Sequence, residues 1–409
     1  MERNRPEALG LSSRRLEQIG RIADDYIERG EVSGTVVAVV RDGSLAYVDA
    51  RGSRNVELGL PMTEGTLFRI YSMTKPITTA AVMLLFERGG LRLTDPLSRF
   101  FPEFGEMGVY VSGTGASAAN PTSPTEPSFK TVPAEREIRV WDLLTHTAGL
   151  AYGIGDEHPV EKAYERAVWA PLAQDPEMSL AEMAANIASL PLVHHPGHAW
   201  RYSIACDLLA AVVERVTGAA FADFLTHEIL VPLGMTETWF TVPPSERERL
   251  AVVYEQTDAG LRPADDPPIM SFTRARRHAN GGGGLVSTMH DYLRFAQMLL
   301  DEGRAGNDYL LSPRTVRMMM TNHLPPNVER WDRPGSGFGF GGQVVTDVTQ
   351  LTEYGSAGRY SWGGAASTLF WVDPEERLAV VLLLQRVPGF SSRITDDLYT
   401  TVYQALVGR

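Results

Sequence analysis

This chain is poor in cysteine, in lysine and in net positive charge. Cys206 is the single cysteine among 409 residues, which excludes an internal disulfide and any cysteine-rich metal site. The formal net charge of −12 argues against a nucleic-acid partner, because nucleic acids bind basic protein faces. Lysine occurs only as Lys75, Lys130 and Lys162, so the position of each lysine is informative.

Long hydrophobic runs are also missing. The stretch MERNRPEALGLSSRRLEQIG carries charges where a signal peptide has an apolar run. No uninterrupted apolar segment approaches the roughly 20 residues that a membrane helix needs. These absences predict a cytoplasmic protein with no membrane insertion. The share of hydrophobic residues, 44%, is ordinary for a globular chain.

Each end of the chain carries the pattern of a helix and a hairpin. Residues 11–30 have helical periodicity, and two β-rich runs then flank Asp42 and Gly43, a dipeptide that favours a hairpin turn. Near the other end, STLFWVDPEERLAVVLLLQ predicts two strands joined through 373–376, and a helix follows over 392–407. The two ends therefore predict one antiparallel sheet with helices packed on it.

The middle of the chain has mostly helical spacing. One segment, YSIACDLLAAVVERVTG, ends at Gly218 as a helix should. We therefore predict an α+β fold, in which 1–100 and 280–409 form the sheet domain and 101–279 is a mainly helical insertion. Within this insertion, 104–137 is rich in Gly, Ser, Thr and Pro, which indicates a long loop.

The most informative motif is YSMTKPITTAAVMLLFERGG. Pro76 is tolerated only near a helix start, so the helix begins at or just after Ser72 and is apolar on nearly all sides. Ser72 and Lys75 then share one face, where a lysine of lowered pKa could activate the serine hydroxyl. The alternative is that Ser72 is an N-cap and Lys75 a solvated charge.

Two later motifs carry weaker signals. Tyr202 stands at the start of a predicted helix, behind a Pro-Gly turn, where a tyrosine is usually a packed aromatic. Gly363 and Gly364 lead directly into a strand, and their missing side chains let a substrate approach the backbone. The alternative for this pair is a simple turn at the entry to the strand.

Taken together, these motifs resemble the serine hydrolases of the class C β-lactamase and DD-peptidase superfamily. The resemblance is greatest to the family VIII carboxylesterases and their lovastatin-type acyltransferase relatives. The residues that carry it are SMTK (72–75), LLTHTAGL (143–150), PGHAWRYS (196–203), GGGGLVST (281–288) and WGGAAST (362–368). They span most of the chain, and they imply a β-lactamase/transpeptidase-like fold.

The resemblance also implies a catalytic arrangement. Ser72 becomes the nucleophile, and Lys75 with Tyr202 becomes the base system that takes and returns its proton. The oxyanion hole is formed by the backbone N–H groups of Ser72 and Ala365, and such donors are often the largest single catalytic contribution. The implied activity is that of a serine carboxylesterase, which needs a small-molecule ester and no cofactor.

Two departures from the β-lactamase pattern bear on the substrate. The position that is Asn in the Tyr-x-Asn motif is Ile204, and the Lys-Thr-Gly motif is replaced by Trp362-Gly363-Gly364. An aromatic wall at Trp362 in place of a cation favours neutral, apolar acyl or alcohol groups. The loop at 104–137 would limit their size if it folds over the mouth of the site, so we expect short-chain esters, C2 to C6. The alternatives are an acyltransferase, a class C-like β-lactamase or peptidase, and a penicillin-recognition module without catalysis.

Other chemistries are less well supported. The Gly-x-Ser-x-Gly elbow of α/β-hydrolases does not occur. A chymotrypsin-like triad would use His146, which is better explained as a structural histidine satisfied by backbone groups. His194 and His198 have a zinc-like spacing, but Pro196 and Gly197 break the helix that a zinc site would need, so we expect no metal.

Overall fold

The computed structural model describes residues 1–112, 129–154, 157–266, 270–328, 330 and 333–408. Of the predicted loop at 104–137, the central residues 113–128 lie outside the described residues. The α-helices are α1 (Ser13–Glu28), α2 (Thr74–Glu87), α3 (Val140–Leu144), α4 (Pro159–Tyr164), α5 (Ala170–Gln174), α6 (Leu180–Ala188), α7 (Ala205–Thr217), α8 (Phe221–Leu225), α9 (Met289–Leu300), α10 (Pro313–Met319) and α11 (Ile394–Gln404).

The strands are numbered in the same way. They are β1 (Gly34–Arg41), β2 (Ser44–Asn55), β3 (Leu60–Pro61), β4 (Phe68–Arg69), β5 (Gly108–Ser112), β6 (Lys130–Pro133), β7 (Tyr254–Thr257), β8 (Gly260–Pro263), β9 (Val286–Ser287), β10 (Arg304–Ala305), β11 (Asp308–Tyr309), β12 (Ser336–Phe338), β13 (Gln343–Val345), β14 (Tyr360–Gly363), β15 (Leu369–Asp373), β16 (Leu378–Leu383) and β17 (Arg386–Val387).

The main sheet joins the two ends of the chain. In the described part of the chain it has eight strands, in the order β12-β13-β14-β15-β16-β1-β2-β3. Each neighbouring pair is antiparallel, and β1 lies directly beside β16, with Val39 opposite Val380. The predicted α+β fold with an antiparallel sheet flanked by helices is confirmed.

Helices cover both faces of this sheet. Side chains alternate along a strand, so Val37 and Val39 of β1 pack on one face under α1 and α11. Val36 and Ala38 point to the other face, into the larger core that includes α2 and α9. Because both faces are buried, β1 is apolar along almost its whole length, which explains its continuous hydrophobic run.

Local turn chemistry matches the predictions at three places. Asp42 and Gly43 have φ values of +50° and +75°, and β1 pairs with β2 across them as a hairpin. β15 and β16 pair across a turn over 374–377, one residue later than the predicted 373–376, and Arg377 in this turn has a φ of +50°. Gly218 ends α7 with a φ of +72°. These turn and helix-end predictions are confirmed.

The helix α2 runs through the middle of the molecule. Its residues from Thr74 to Leu85 are all buried, as its apolar sequence predicted, and it packs against α7. It starts just after Ser72, following a short 3-10 turn, and ends before Gly89, whose φ is +71°. A lysine at the second position of such a helix has little access to solvent.

The region between the sheet-forming ends contains α3 to α8 and the short strands β5 to β8. β5 and β6 pair at the two described flanks of the predicted loop. The division of the chain into a sheet domain and an inserted domain stays a prediction. Among the described residues, no helix combines the length and the apolar character that a membrane span requires.

We expect Trp371→Ala to destabilise the protein by about 3–5 kcal/mol, because it opens a cavity in the core. Trp371 is fully buried on β15, and its ring lies 4.3 Å from that of Tyr399 on α11. Urea unfolding followed by circular dichroism measures the loss. The control is Val348→Ala, at a residue 46% exposed, which should change the free energy of unfolding by less than about 0.5 kcal/mol. Equal effects of the two changes would contradict this packing role.

Candidate active site

A cavity of about 1060 Å³ lies beside the N-terminal end of α2, and Ser72 is on its wall. Ser72 belongs to the 3-10 turn Tyr71–Met73 that precedes the helix. Tyr71 has a φ of +42°, which bulky residues rarely adopt, and its buried ring packs edge-on against Phe272. Such strain persists only where packing holds it, so this packing fixes the backbone that carries Ser72.

The structure brings Lys75 and Tyr202 to the same oxygen atom. Lys75 Nζ donates to Ser72 Oγ at 3.2 Å, and the Tyr202 hydroxyl hydrogen-bonds to Ser72 Oγ at 2.8 Å. The ammonium group also lies 4.7 Å from the centre of the Tyr202 ring. A nucleophilic oxygen, a phenol and a cation are therefore within direct reach of one another.

Tyr202 lies in the irregular segment that leads into α7. The backbone N–H of the preceding residue, Arg201, donates to the His146 carbonyl at 2.8 Å. The Tyr202 ring packs 5.0 Å from the ring of His146 and 5.4 Å from that of Trp362. These contacts aim the Tyr202 hydroxyl at Ser72.

Lys75 is fully buried, and its surroundings favour the charged form. Burial opposes the charge and by itself lowers the pKa of Lys75. The oxygens of Tyr152 and Tyr202 favour the charge, as do the Cys206 thiol and the Asp207 carboxyl. Together they outweigh burial, so the pKa of Lys75 is raised. The prediction from sequence was a lowered lysine pKa. The structure contradicts it, because the neighbours of Lys75 include ionisable oxygens that the apolar helix sequence did not reveal.

The glycine run at 281–284 forms part of this site. Lys75 Nζ donates to the Gly282 carbonyl at 2.7 Å, and the Gly282 N–H donates to Asp207 Oδ1 at 3.1 Å. A Cβ atom on Gly282 would lie 2.5 Å from Asp207 Oδ2, so the position requires glycine. Burial raises the pKa of Asp207 to about 6, although the charge of Lys75 opposes the rise. The contact of this glycine run with Lys75 was not predicted.

The turn before α2 and the turn after β14 both reach the cavity wall. The residues predicted for the oxyanion hole, Ser72 and Ala365, both line it. Within the described residues, neither backbone N–H has a protein acceptor. Ala365 follows β14 in a tight turn, in which the Gly364 N–H donates to the Thr368 carbonyl at 2.8 Å. Two such donors can stabilise an oxyanion at a carbonyl that Ser72 attacks.

Trp362, Gly363 and Gly364 also line the cavity. The two glycines were predicted to let a substrate approach the backbone, but contacts within the protein also require glycine at these positions. A Cβ atom on Gly364 would lie 2.4 Å from the Ile70 carbonyl oxygen, and one on Gly363 would lie 2.3 Å from the Phe390 ring. The absence of side chains at the two glycines therefore leaves space for the Ile70 carbonyl and the Phe390 ring. The close approach at Gly364 brings the Ala365 turn against the segment that carries Ser72.

Two residues that the sequence analysis missed shape the other side of the cavity. Tyr152 OH lies 3.5 Å from Lys75 Nζ, and the rings of Tyr152 and Tyr202 are 5.3 Å apart. Glu161 is buried, accepts the backbone N–H groups of Tyr152 and Gly153, and forms an ion pair with Arg201 at 2.7 Å. The one signal in the sequence was for Glu161, a glutamate on the apolar side of a short helix. This signal is too weak to interpret alone.

Arg330, a cationic residue on the cavity wall, was also not predicted from the sequence. The guanidinium of Arg330 lies over the ring of Trp200 and 5.5 Å from the centre of the Trp362 ring. Its Nη1 group donates to Gln343 Oε1 at 3.0 Å. The family motif that Trp362 replaces carries a lysine at this place, so an arginine from another segment was not predicted.

The histidines are engaged elsewhere. His146 Nδ1 lies 3.0 Å from Ser203 Oγ, so its partner is a side chain rather than the predicted backbone group. Burial holds the pKa of His146 well below its ordinary value, which keeps the ring neutral. His194 and His198 contact different groups, the His195 carbonyl and Glu135. The described residues contain no group of three or more side chains arranged to hold a metal ion.

Comparisons with known proteins bear on this site. A family model described as Beta-lactamase matches residues 19–404. Protein Rv1367c of Mycobacterium tuberculosis is 38% identical, covering 90% of this chain and 89% of that protein. Esterase EstB of Burkholderia gladioli is 30% identical, and the match covers 97% of this chain and 98% of that protein. Among solved structures, EstCE1, a hydrolase with promiscuous acyltransferase activity, has a TM-score of 0.78 at 27% identity. The match covers 96% of this chain and 98% of the EstCE1 chain.

The sheet formed from both ends of the chain, with a Ser-x-x-Lys helix start at its cavity, defines the β-lactamase-like class of proteins. The chain belongs to the Beta-lactamase family. The resemblance to β-lactamase-like esterases drawn from the motifs is confirmed, and the relatives support an enzyme of the serine hydrolase type.

The buried carboxyl of Asp207 should make stability depend on pH. Its pKa is raised to about 6, against about 3.9 in an unfolded chain, so the folded protein binds more protons between about pH 4 and 6. The free energy of unfolding should therefore fall by up to about 3 kcal/mol as pH rises through this window. Asp207→Asn removes this contribution. Urea unfolding of both proteins at several pH values measures the difference, and a difference that does not vary with pH would contradict the prediction.

Proposed function

We propose that this protein is a serine carboxylesterase that hydrolyses short-chain carboxylic esters through a covalent acyl-enzyme on Ser72. The observation that carries the proposal is the convergence of Lys75 and Tyr202 on Ser72 Oγ, at 3.2 and 2.8 Å, in a cavity lined by two unengaged backbone donors. The esterase and hydrolase names of EstB and EstCE1 support the same reaction class.

Acylation begins with the proton of the Ser72 hydroxyl. The pair of Lys75 and Tyr202, in the form that lacks one proton, takes this proton through the contact of the Tyr202 oxygen with Ser72 Oγ. Ser72 Oγ bonds to the ester carbonyl carbon, and the N–H groups of Ser72 and Ala365 stabilise the oxyanion. Collapse of this intermediate breaks the bond to the alcohol, which leaves with the proton held by Tyr202.

Deacylation runs through the same groups in the opposite direction. Water loses a proton to Tyr202 and attacks the acyl carbonyl, and Ser72 Oγ leaves and recovers the proton. An alcohol can take the place of water, and the product is then a new ester. Acyl transfer is therefore the second candidate function, and the acyltransferase activity named for EstCE1 favours it.

The cavity wall supports esters over β-lactams as substrates. Trp362 stands where the lysine of the Lys-Thr-Gly motif would be, and it forms an aromatic wall with Tyr202. The buried ring of Phe338 packs against Trp362 and supports this wall. Such a wall binds neutral apolar groups by burying their surface, at roughly 25 cal/mol per Å². Arg330 is nearby, but its Nη1 group is engaged by Gln343 at 3.0 Å.

Ser72→Ala should abolish both the burst and the turnover of p-nitrophenyl butyrate, and it should prevent labelling by a serine-directed phosphonate, located by mass spectrometry. Tyr202→Phe should lower kcat by at least about 100-fold, since general acid–base groups contribute roughly 10²–10⁴-fold. His146→Ala should have a much smaller effect on kcat, because His146 bonds to Ser203 rather than Ser72. Circular dichroism establishes that each variant folds.

Three results would overturn this assignment. Labelling of a serine other than Ser72, with activity retained in Ser72→Ala, would exclude the nucleophile. Loss of turnover in a folded His146→Ala variant would favour a histidine triad. Reversible binding of penicillins with no burst from any ester would favour a recognition module without catalysis.

The substrate class is tested by three parallel assays. We expect kcat/KM for p-nitrophenyl butyrate to exceed that for nitrocefin by at least about 100-fold, because Trp362 gives an apolar wall. The third assay adds a short alcohol to the butyrate ester and measures free acid against transfer product. Equal rates for nitrocefin and the ester would contradict the role of Trp362. Transfer product in excess at modest alcohol concentration would make acyl transfer the main activity.

A further inference from the structure

A second, smaller cavity lies next to the substrate cavity. It has a volume of about 120 Å³ and lies between α8 and the segment 270–284. Met270 lines both cavities, while Gly283 lines the larger one and Gly284 the smaller one. Met270 and the turn of Gly283 and Gly284 are therefore part of the boundary between the two cavities.

Met270 lies close to the backbone of the proposed nucleophile. A Cβ atom built on Gly283 would lie 3.2 Å from Met270 Cε and 3.7 Å from the carbonyl carbon of Tyr71, which is bonded to the nitrogen of Ser72. Met270 packs with Tyr71 and Ala366 in one apolar cluster. The methyl group of Met270 thus lies on the Gly283 side of the turn that carries Ser72.

The acyl and alcohol parts of an ester should lie on different sides of Ser72. The alcohol takes its proton from Tyr202, so it leaves on that side, where Tyr202 and Trp362 pack in a separate cluster around Trp200. The acyl chain is then directed away from Tyr202, toward Met270. We infer that Met270 closes the acyl end of the substrate cavity and sets the length of acyl chain that the enzyme accepts.

This inference rests on the proposed esterase function and adds the acyl specificity to it. The small cavity has an apolar side formed by Phe221, Phe240 and Phe272. Its 120 Å³ would hold about four atoms, at roughly 30 Å³ each as for water. Truncation of Met270 would join this space to the substrate cavity. Each further methylene that becomes buried favours binding by about fourfold.

The experiment compares acyl chains of different length. We expect Met270→Ala to raise the ratio of kcat/KM for p-nitrophenyl octanoate to that for the butyrate by at least about tenfold. Met235→Ala is the matched control, since Met235 is buried but lines neither cavity. Its ratio should stay within about twofold of that of the unmodified enzyme. Adding Ala222→Leu to Met270→Ala fills the small cavity and should reverse the gain.

A binding measurement separates this inference from the proposed function. In a Ser72→Ala background, calorimetry should give a Kd for p-nitrophenyl octanoate at least about fivefold lower with Met270→Ala, with no such gain for the butyrate. This result supports the inference even if the unmodified protein hydrolyses no ester, an outcome that would refute only the proposed function. Two results would overturn the inference. One is an unchanged ratio of kcat/KM for the octanoate to that for the butyrate in folded Met270→Ala protein. The other is a gain in kcat/KM that occurs only with acetate esters of long alcohols.

Discussion

The burial of one ammonium group constrains the whole site. Lys75 lies in the apolar helix α2 with no access to solvent, and a buried charge is costly unless it is solvated by the protein. Its ligands are the Gly282 carbonyl, the Ser72 hydroxyl and the two tyrosines Tyr152 and Tyr202. The Ser72 hydroxyl and the Tyr202 ring are therefore both held in contact with the same charge.

These ligands come from segments that are far apart in the sequence. Ser72 lies in the 3-10 turn before α2, and the Ala365 turn that follows β14 lies beside it. The contact of Gly364 with the Ile70 carbonyl joins the two. On the opposite side, Glu161 links the segment of Tyr152 to that of Tyr202 through Arg201. The site is thus assembled by close packing between distant segments. Its glycines are required by contacts with side chains, at Gly282 and Gly363, and with the backbone, at Gly364.

Much of the fold could be predicted from local patterns. The hairpin at Asp42 and the end of α7 at Gly218 follow from turn chemistry, and the antiparallel sheet follows from the hairpin at each end of the chain. The family resemblance led to Ser72, Lys75 and Tyr202. Tyr152 and the raised lysine pKa could not be found in this way, because each depends on which distant groups surround the ammonium. Spacing along one segment contains no such information.

The pairing of β1 with β16 has a consequence for synthesis of the chain. The two strands are more than 330 residues apart, so the contact order of the sheet is high and folding should be slow. At about 5–20 residues per second, a ribosome takes tens of seconds to make the intervening chain. During this time the apolar β1–β2 hairpin has an unpaired edge, and such edges aggregate readily. Production of this protein should therefore respond to chaperones that shield nascent hairpins.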